Sequence, residues 1–274
     1  MVEVRMTGSV TSWDGTPIAY ERSGSGPPLV LVHGTTASRT RWAPVLPTLE
    51  ARHTVYAMDR RGRGDSGDTQ PYSLEREFED VAAVVDAVAA ATSTRVDLVG
   101  HSFGGLCAME AALRTTRIRR LIVYEGAPAG VLTIPSELVE RMQAQVDAGD
   151  GDGAVQTMMR EVVRMPEEQL ALLRSLPAWQ ARVAAAHTIP RELRATNTYR
   201  MEPGRMAQIR VPTLLLVGGD SPSFFRTTAD AAQHALPDAR LVVLPGQQHA
   251  AMDTAPDLFS REVLAFLDPF LDRR

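Results

Sequence analysis

An α/β fold, a mostly parallel sheet with helices on both faces and an inserted helical cap, follows from three features of the 274-residue sequence. Short, continuous apolar runs alternate with helix-period stretches, the pattern of strands buried on both faces by crossover helices. That alternation stops between about 130 and 205, where strand-like runs vanish and helical segments take over. His33, Ser102, Glu125, Asp220 and His249 each follow an apolar run. Ligands in such sheets gather beyond the carboxyl ends of the strands. The expected organisation is a core from 1–129 and 206–274, with the cap at 130–205.

Bulk composition narrows the function. A hydrophobic content of 44% and a charged content of 23% are ordinary for a globular protein. The net charge of −4 argues against a nucleic-acid surface. All 29 basic residues are arginine, which excludes Schiff-base, P-loop and Ser–Lys chemistries. The arginine-rich stretches starting at Arg60 and Arg117 read as loop and rim charges. A single cysteine, Cys107, excludes an internal disulfide, fits a reducing compartment and reads as a small buried hydrophobe. There is no signal-like start and no apolar run approaching 18 residues, so a cytoplasmic protein without membrane contact is expected. A homodimer is compatible with the sequence.

The elements can be justified in order. Residues 2–20 alternate loosely around Asp14-Gly15, a hairpin turn. Pro28–Val32 is an apolar strand ending in His33-Gly34-Thr35-Thr36, followed by a helix over 41–51. Residues 53–59 form a strand. The loop after it contains Gly62-Arg63-Gly64-Asp65-Ser66-Gly67, which matches G-x-G-x-x-G, but no helix opens at its last glycine and a nucleotide site is not expected. Ser73 suits an N-cap, the acidic residues after it suit a first helical turn, and Leu74, Phe78, Val81, Val85 and Val88 share one face. Residues 95–100 and 120–125 are strands, the second ending in Gly126-Ala127-Pro128. Helices are expected over 136–148 and 154–165, with breaks at Pro166, Pro177 and Pro190. Then come a strand over 211–217, a helix near 227–236, a strand over 240–244 and a helix at Pro256–Leu267.

Gly100-His101-Ser102-Phe103-Gly104 satisfies G-x-S-x-G between a strand and a helix. A serine there is lifted into the open, and the helix N-terminus aims N–H groups at charge developing beside its oxygen. Serine needs a base, and the base needs an orienting acid. His249, after the last strand, is the best base, so Ser102 and His249 should fold into hydrogen-bonded neighbours. The Phe103 amide and that of Thr35, or alternatively Thr36, would hold an oxyanion. Both Glu125 and Asp220 are candidate acids. No His/Asp/Glu cluster has metal-ligand spacing, and neither a metal nor a cofactor is expected.

On His33-Gly34-Thr35-Thr36, the stretch 59–67, the serine motif and the stretch 246–256, the whole chain resembles the α/β-hydrolase superfamily. Most members place the acid three residues after a glycine following the seventh strand. Here that position is Ser221, and Asp220 falls one residue early. Haloalkane dehalogenases and zearalenone lactonases instead place a glutamate after the sixth strand, which Tyr124-Glu125-Gly126-Ala127-Pro128 resembles. The stretch 217–225 and the cap residues 177–179 and 188–190 are also similar to those of the lactonases. The resemblance therefore implies Ser102, Glu125 and His249 as a triad acting on a medium-sized, small-molecule hydrophobic ester or lactone. The expected cap would line the substrate pocket, with Trp179, His187, Met158 and Met159 as candidates, and the lactonase resemblance favours Trp179 among them. Carbon–carbon bond hydrolysis on the same triad and a non-catalytic ligand receptor are the competing readings. A dehalogenase or epoxide hydrolase would need aspartate at 102.

Overall fold

The structure is a computed structural model that describes residues 5–127, 130–200 and 202–268. Pro128 and the expected core boundary at 129 lie outside these. Eight strands form one sheet: β1 (Met6–Thr11), β2 (Pro17–Gly24), β3 (Pro28–Val32), β4 (Thr54–Met58), β5 (Val96–His101), β6 (Ile118–Tyr124), β7 (Thr213–Gly218) and β8 (Ala239–Leu244). Their spatial order is β1-β2-β4-β3-β5-β6-β7-β8. The pairs β1/β2 and β2/β4 are antiparallel, and every other pair is parallel. The turn between β1 and β2 runs through Asp14-Gly15, with Gly15 at φ +87°.

Period-two alternation explains how the sheet carries two cores. Val30, Val32, Leu98, Leu121, Val123 and Leu215 face a core built with helices Leu74–Thr92 and Phe103–Ala111. Their neighbours Leu29, Leu31, Val99, Ile122, Leu214 and Leu216 face the opposite core, closed by helices Leu46–Glu50 and Pro256–Leu267. Cys107 is fully buried in the first of these cores.

Between β6 and β7 the chain is helical and has an apolar cluster of its own, including Val139, Met142, Val155, Leu170, Trp179 and Ile189. Helix Ser136–Asp147 lies close to its expected position. The second expected helix is shorter, Gly151–Thr157, and runs into a π-helical turn at Met158–Val162. Pro190 does not break a helix: it sits in the first turn of Ile189–Thr198, where its missing N–H costs nothing. The single helix expected over 41–51 is also divided, into a 3₁₀ turn at Arg39–Trp42 and the helix Leu46–Glu50, with Pro44 and Pro47 at the division. Helix Ser223–Ala235 starts earlier than expected, and Ala251–Thr254 is a short helix the pattern did not reveal.

The arginines of the 60–63 loop are not rim charges. Arg60, Arg61 and Arg63 are buried. Arg60 donates to both Glu77 oxygens, at 3.1 and 2.7 Å, and to Glu192 Oε1 at 2.7 Å. Arg63 also donates to Glu192, and Arg61 is bidentate on Asp80. Glu77 comes from the helix after β4 and Glu192 from Ile189–Thr198, so two cations and two carboxylates tie the inserted helices to the sheet. Burial opposes the Arg60 charge, but Glu192 and Glu77 outweigh it and hold the guanidinium well above its ordinary range. The glycines of the same loop shape this ion cluster: Gly62 donates its N–H to Gly67 O, and Gly64 abuts the Asp59 carboxylate. Among the described residues no helix is long and apolar enough to cross a membrane.

Removing one member of a buried ion cluster strands the rest. Glu192→Met is therefore expected to lower unfolding stability in urea by about 3–5 kcal/mol. A loss below about 1 kcal/mol would show that the cluster does not hold the inserted helices.

Candidate active site

Ser102 lies where β5 gives way to helix Phe103–Ala111, at φ 56° and ψ −125°. Such a backbone costs roughly 1–3 kcal/mol and must be enforced by its surroundings. Hydrogen bonds do this: Ser102 N donates to Tyr124 O at 2.9 Å, and Ser102 O accepts from Gly105 N and Ala127 N at 2.8 and 3.0 Å. Close backbone packing does the rest. A Cβ on Gly100 would stand 2.4 Å from Gly104 O, and one on Gly104 would stand 2.4 Å from both Val32 O and His33 O.

Glu125 follows β6 directly, at φ 44°. Its two oxygens have separate partners: Oε1 accepts from Gly218 N at 2.8 Å, and Oε2 lies 2.6 Å from His249 Nδ1. Both residues are buried. His249 is held on every side. Phe225 stacks on its ring at 4.5 Å and 15°, and His101 packs against it at 4.5 Å. His101 Nε2 donates to His249 O at 3.0 Å. Burial and the neighbouring His249 hold His101 well below the usual imidazole range, so it is neutral. The Tyr124 hydroxyl donates to Gln248 O and accepts from Ala251 N, which pins the segment around the imidazole.

Asp220, the other candidate acid, is exposed. Its amide donates to Gln247 O at 2.9 Å, and among the described residues its carboxylate has no bond to His249.

Ser102 and His249 line two adjoining pockets, the two lobes of the site. Both lobes are also bounded by Thr35, Met158 and Val163. One lobe is apolar, with Phe103, Leu132, Ile134, Leu193, Phe224 and Phe225. The other includes Thr36, Met159 and two arginines, Arg41 and Arg182. The expected direct hydrogen bond between Ser102 and His249 is not formed; among the described residues the hydroxyl has no hydrogen-bond partner. Such bonds are often long in unliganded sites and tighten around substrate.

The loop after β3 is fixed from behind. Arg63 donates twice to Thr35 O, at 3.2 and 2.9 Å, and Arg182 Nη1 donates to Thr36 O at 2.9 Å. With these carbonyls held, the loop's orientation beside Ser102 is set. His33 is buried beneath it and accepts from Arg60 N at 3.1 Å. Burial, then Arg60 and Arg63, hold it well below the usual imidazole range.

Two pocket expectations need correction. Trp179 is buried in the inserted helices' own apolar cluster and donates to Asp152 Oδ1 at 2.6 Å, away from both lobes. His187 is exposed and borders a separate cleft with Arg39, Asp59 and Gly62. Met158 and Met159, at the start of the π-helical turn, do line the site. The sequence reading missed Arg41, Arg182 and Phe225. Nothing in a single sequence distinguishes Arg182 from the solvated arginines of neighbouring helices.

The sequence profile of the alpha/beta hydrolase family matches residues 29–262, and the chain belongs to that family. It is similar to an alpha/beta hydrolase of known structure from Sphaerobacter thermophilus, with 38% identity, a TM-score of 0.81, and coverage of 95% of this chain and 100% of that one. It is 30% identical to a protein named "Putative carbamate hydrolase RutD" from Azorhizobium caulinodans, over 90% of this chain and 93% of the relative. It is 28% identical to a pimeloyl-[acyl-carrier protein] methyl ester esterase from Neisseria meningitidis, over 88% and 77%.

The tight crossing at Gly104 has a measurable consequence. Because the obstructing atoms are backbone oxygens, Gly104→Ala should cost about 1–3 kcal/mol or more. Gly204→Ala, where a Cβ meets nothing within 4 Å, should leave thermal unfolding nearly unmoved. Equal melting temperatures for the two variants would contradict this packing account.

Proposed function

We propose that this protein hydrolyses a carboxylic ester or lactone through an acyl-enzyme on Ser102, with His249 as general base and Glu125 as its orienting acid. The observation that carries the reading is the buried 2.6 Å contact between His249 Nδ1 and Glu125, in a cavity that Ser102 shares. With Nδ1 protonated and facing the carboxylate, Nε2 is the free basic nitrogen. The names of the esterase and carbamate hydrolase relatives support acyl transfer to water as the reaction class.

His249 Nε2 takes the Ser102 proton as Oγ attacks the substrate carbonyl. The tetrahedral oxyanion is held by N–H groups of Phe103 and Thr35, the first at a helix N-terminus and the second in the loop braced by Arg63. His249 then gives its proton to the leaving alkoxide, which departs as an alcohol. In the second half, His249 takes a proton from water, the resulting hydroxide attacks the acyl carbon, and Ser102 leaves with the proton returned. Glu125 fixes the tautomer and stabilises the transient imidazolium. Gly218 N anchors the other carboxylate oxygen, so Glu125 cannot swing away. The apolar lobe suits a hydrocarbon portion of the substrate.

A fluorophosphonate probe should label the wild type at Ser102, and Ser102→Ala should lose both labelling and ester turnover. Retained turnover would reject the nucleophile. Glu125→Gln should reduce kcat by roughly 10⁴-fold, whereas Asp220→Asn should change it less than about threefold, as expected for a surface residue. Steady-state kinetics on a p-nitrophenyl ester separates the two, and the opposite ranking would assign the acid to Asp220.

A further inference from the structure

Arg182 projects from helix Ala178–Ala184 into the second lobe and is only 5% exposed. A buried guanidinium normally has a carboxylate beside it. Every other arginine in this protein's buried clusters follows that rule: Arg60 and Arg63 share Glu77 and Glu192, Arg61 has Asp80, and Arg41 has Asp253. Among the described residues Arg182 has no ion-pair partner. Its hydrogen bonds, to Thr36 O and Thr36 Oγ1, both leave from Nη1. Nη2 and Nε, with three of the five guanidinium N–H groups, have no protein acceptor among the described residues.

The carboxylates near this lobe are already in contact with other groups. Arg41 and Asp253 form a pair and Glu125 is engaged by His249 Nδ1 and Gly218 N, so among the described residues Arg182 has no carboxylate in contact and feels only Asp253 at longer range. Burial, then the nearby Arg41, pushes its pKa down to about 9. An anion entering the lobe would oppose both effects by favouring the charged guanidinium. The unused edge of a guanidinium, Nε with Nη2, is a planar fork that matches a carboxylate in bidentate fashion.

Resting on the Ser102 reading above, we propose that Arg182 is a specificity residue that binds a free carboxylate on the substrate, so that the natural substrate is an ester or lactone of an acid bearing a second, ionised carboxyl group. The apolar lobe then takes the hydrocarbon part, and the two lobes orient the reacting carbonyl across Ser102.

The test compares mono-p-nitrophenyl esters of straight-chain C4 to C6 diacids with their methyl-capped neutral counterparts. The wild type should favour the anionic member of at least one pair in kcat/KM. Arg182→Gln should cut that preference by ~10–100-fold, the range for a charge-assisted hydrogen-bonded pair, and Arg182→Lys should restore part of it. No anionic preference in the wild type, or an Arg182→Gln variant that slows both members of each pair equally, would overturn the proposal and leave Arg182 as a brace for Thr36. Calorimetry of the free C4 to C6 diacids with Ser102→Ala separates this claim from the serine mechanism. Diacid binding that disappears in Ser102→Ala/Arg182→Gln supports the carboxylate subsite even if the nucleophile were misassigned. Absence of diacid binding beside Ser102-dependent turnover of neutral esters would remove the subsite alone.

Discussion

The hydrogen bond between His249 Nδ1 and Glu125 Oε2 joins the ends of β6 and β8, 124 residues apart in sequence. Much of the surrounding structure serves it. β7 lies between those strands, and its last residue, Gly218, supplies the amide that holds the other carboxylate oxygen. Phe225, from the helix after β7, covers one side of the imidazole, and His101, from the end of β5, packs against it. Two N–H donors, His249 Nδ1 and Gly218 N, fix the two carboxylate oxygens separately.

The second constraint is electrostatic and sits on the other side of the site. The Arg60–Glu77–Glu192–Arg63 cluster joins the loop after β4, the helix after it and the inserted helices. Arg63 then reaches the Thr35 carbonyl, and Arg60 lies 4.2 Å above the Phe103 ring. One ionic cluster therefore touches both Thr35 and Phe103. Attachment of the inserted helices and placement of Thr35 and Phe103 are linked through the same side chains. Replacing such a cluster with apolar residues could leave stability intact, but it would remove the link.

Much of this was legible in the sequence. Runs such as those of β3 and β7 are apolar throughout because parallel strands bury both faces, and they stand out without any knowledge of the fold. Ser102, Glu125 and His249 were readable because each follows such a run. Choosing between Glu125 and Asp220 depended on counting residues after Gly218 and on a family resemblance, since both follow strands. Long-range pairing was not legible. The charges at 60–63 looked like a solvated loop because their partner Glu192 lies some 130 residues away. Trp179 and His187 were misplaced because a helix in a small satellite cluster shows no single preferred face until its neighbours are known. Arg182 was invisible for the same reason.

The most direct measurement is proton NMR of the imidazole Nδ1–H, with His249→Gln used to assign the signal. The account predicts a resonance far downfield of the backbone amides in the wild type. It should persist in Ser102→Ala, where the imidazole and carboxylate remain together, and vanish in Glu125→Gln. A wild-type protein lacking that resonance, or one whose resonance survives in Glu125→Gln, would contradict the pairing on which the site is built.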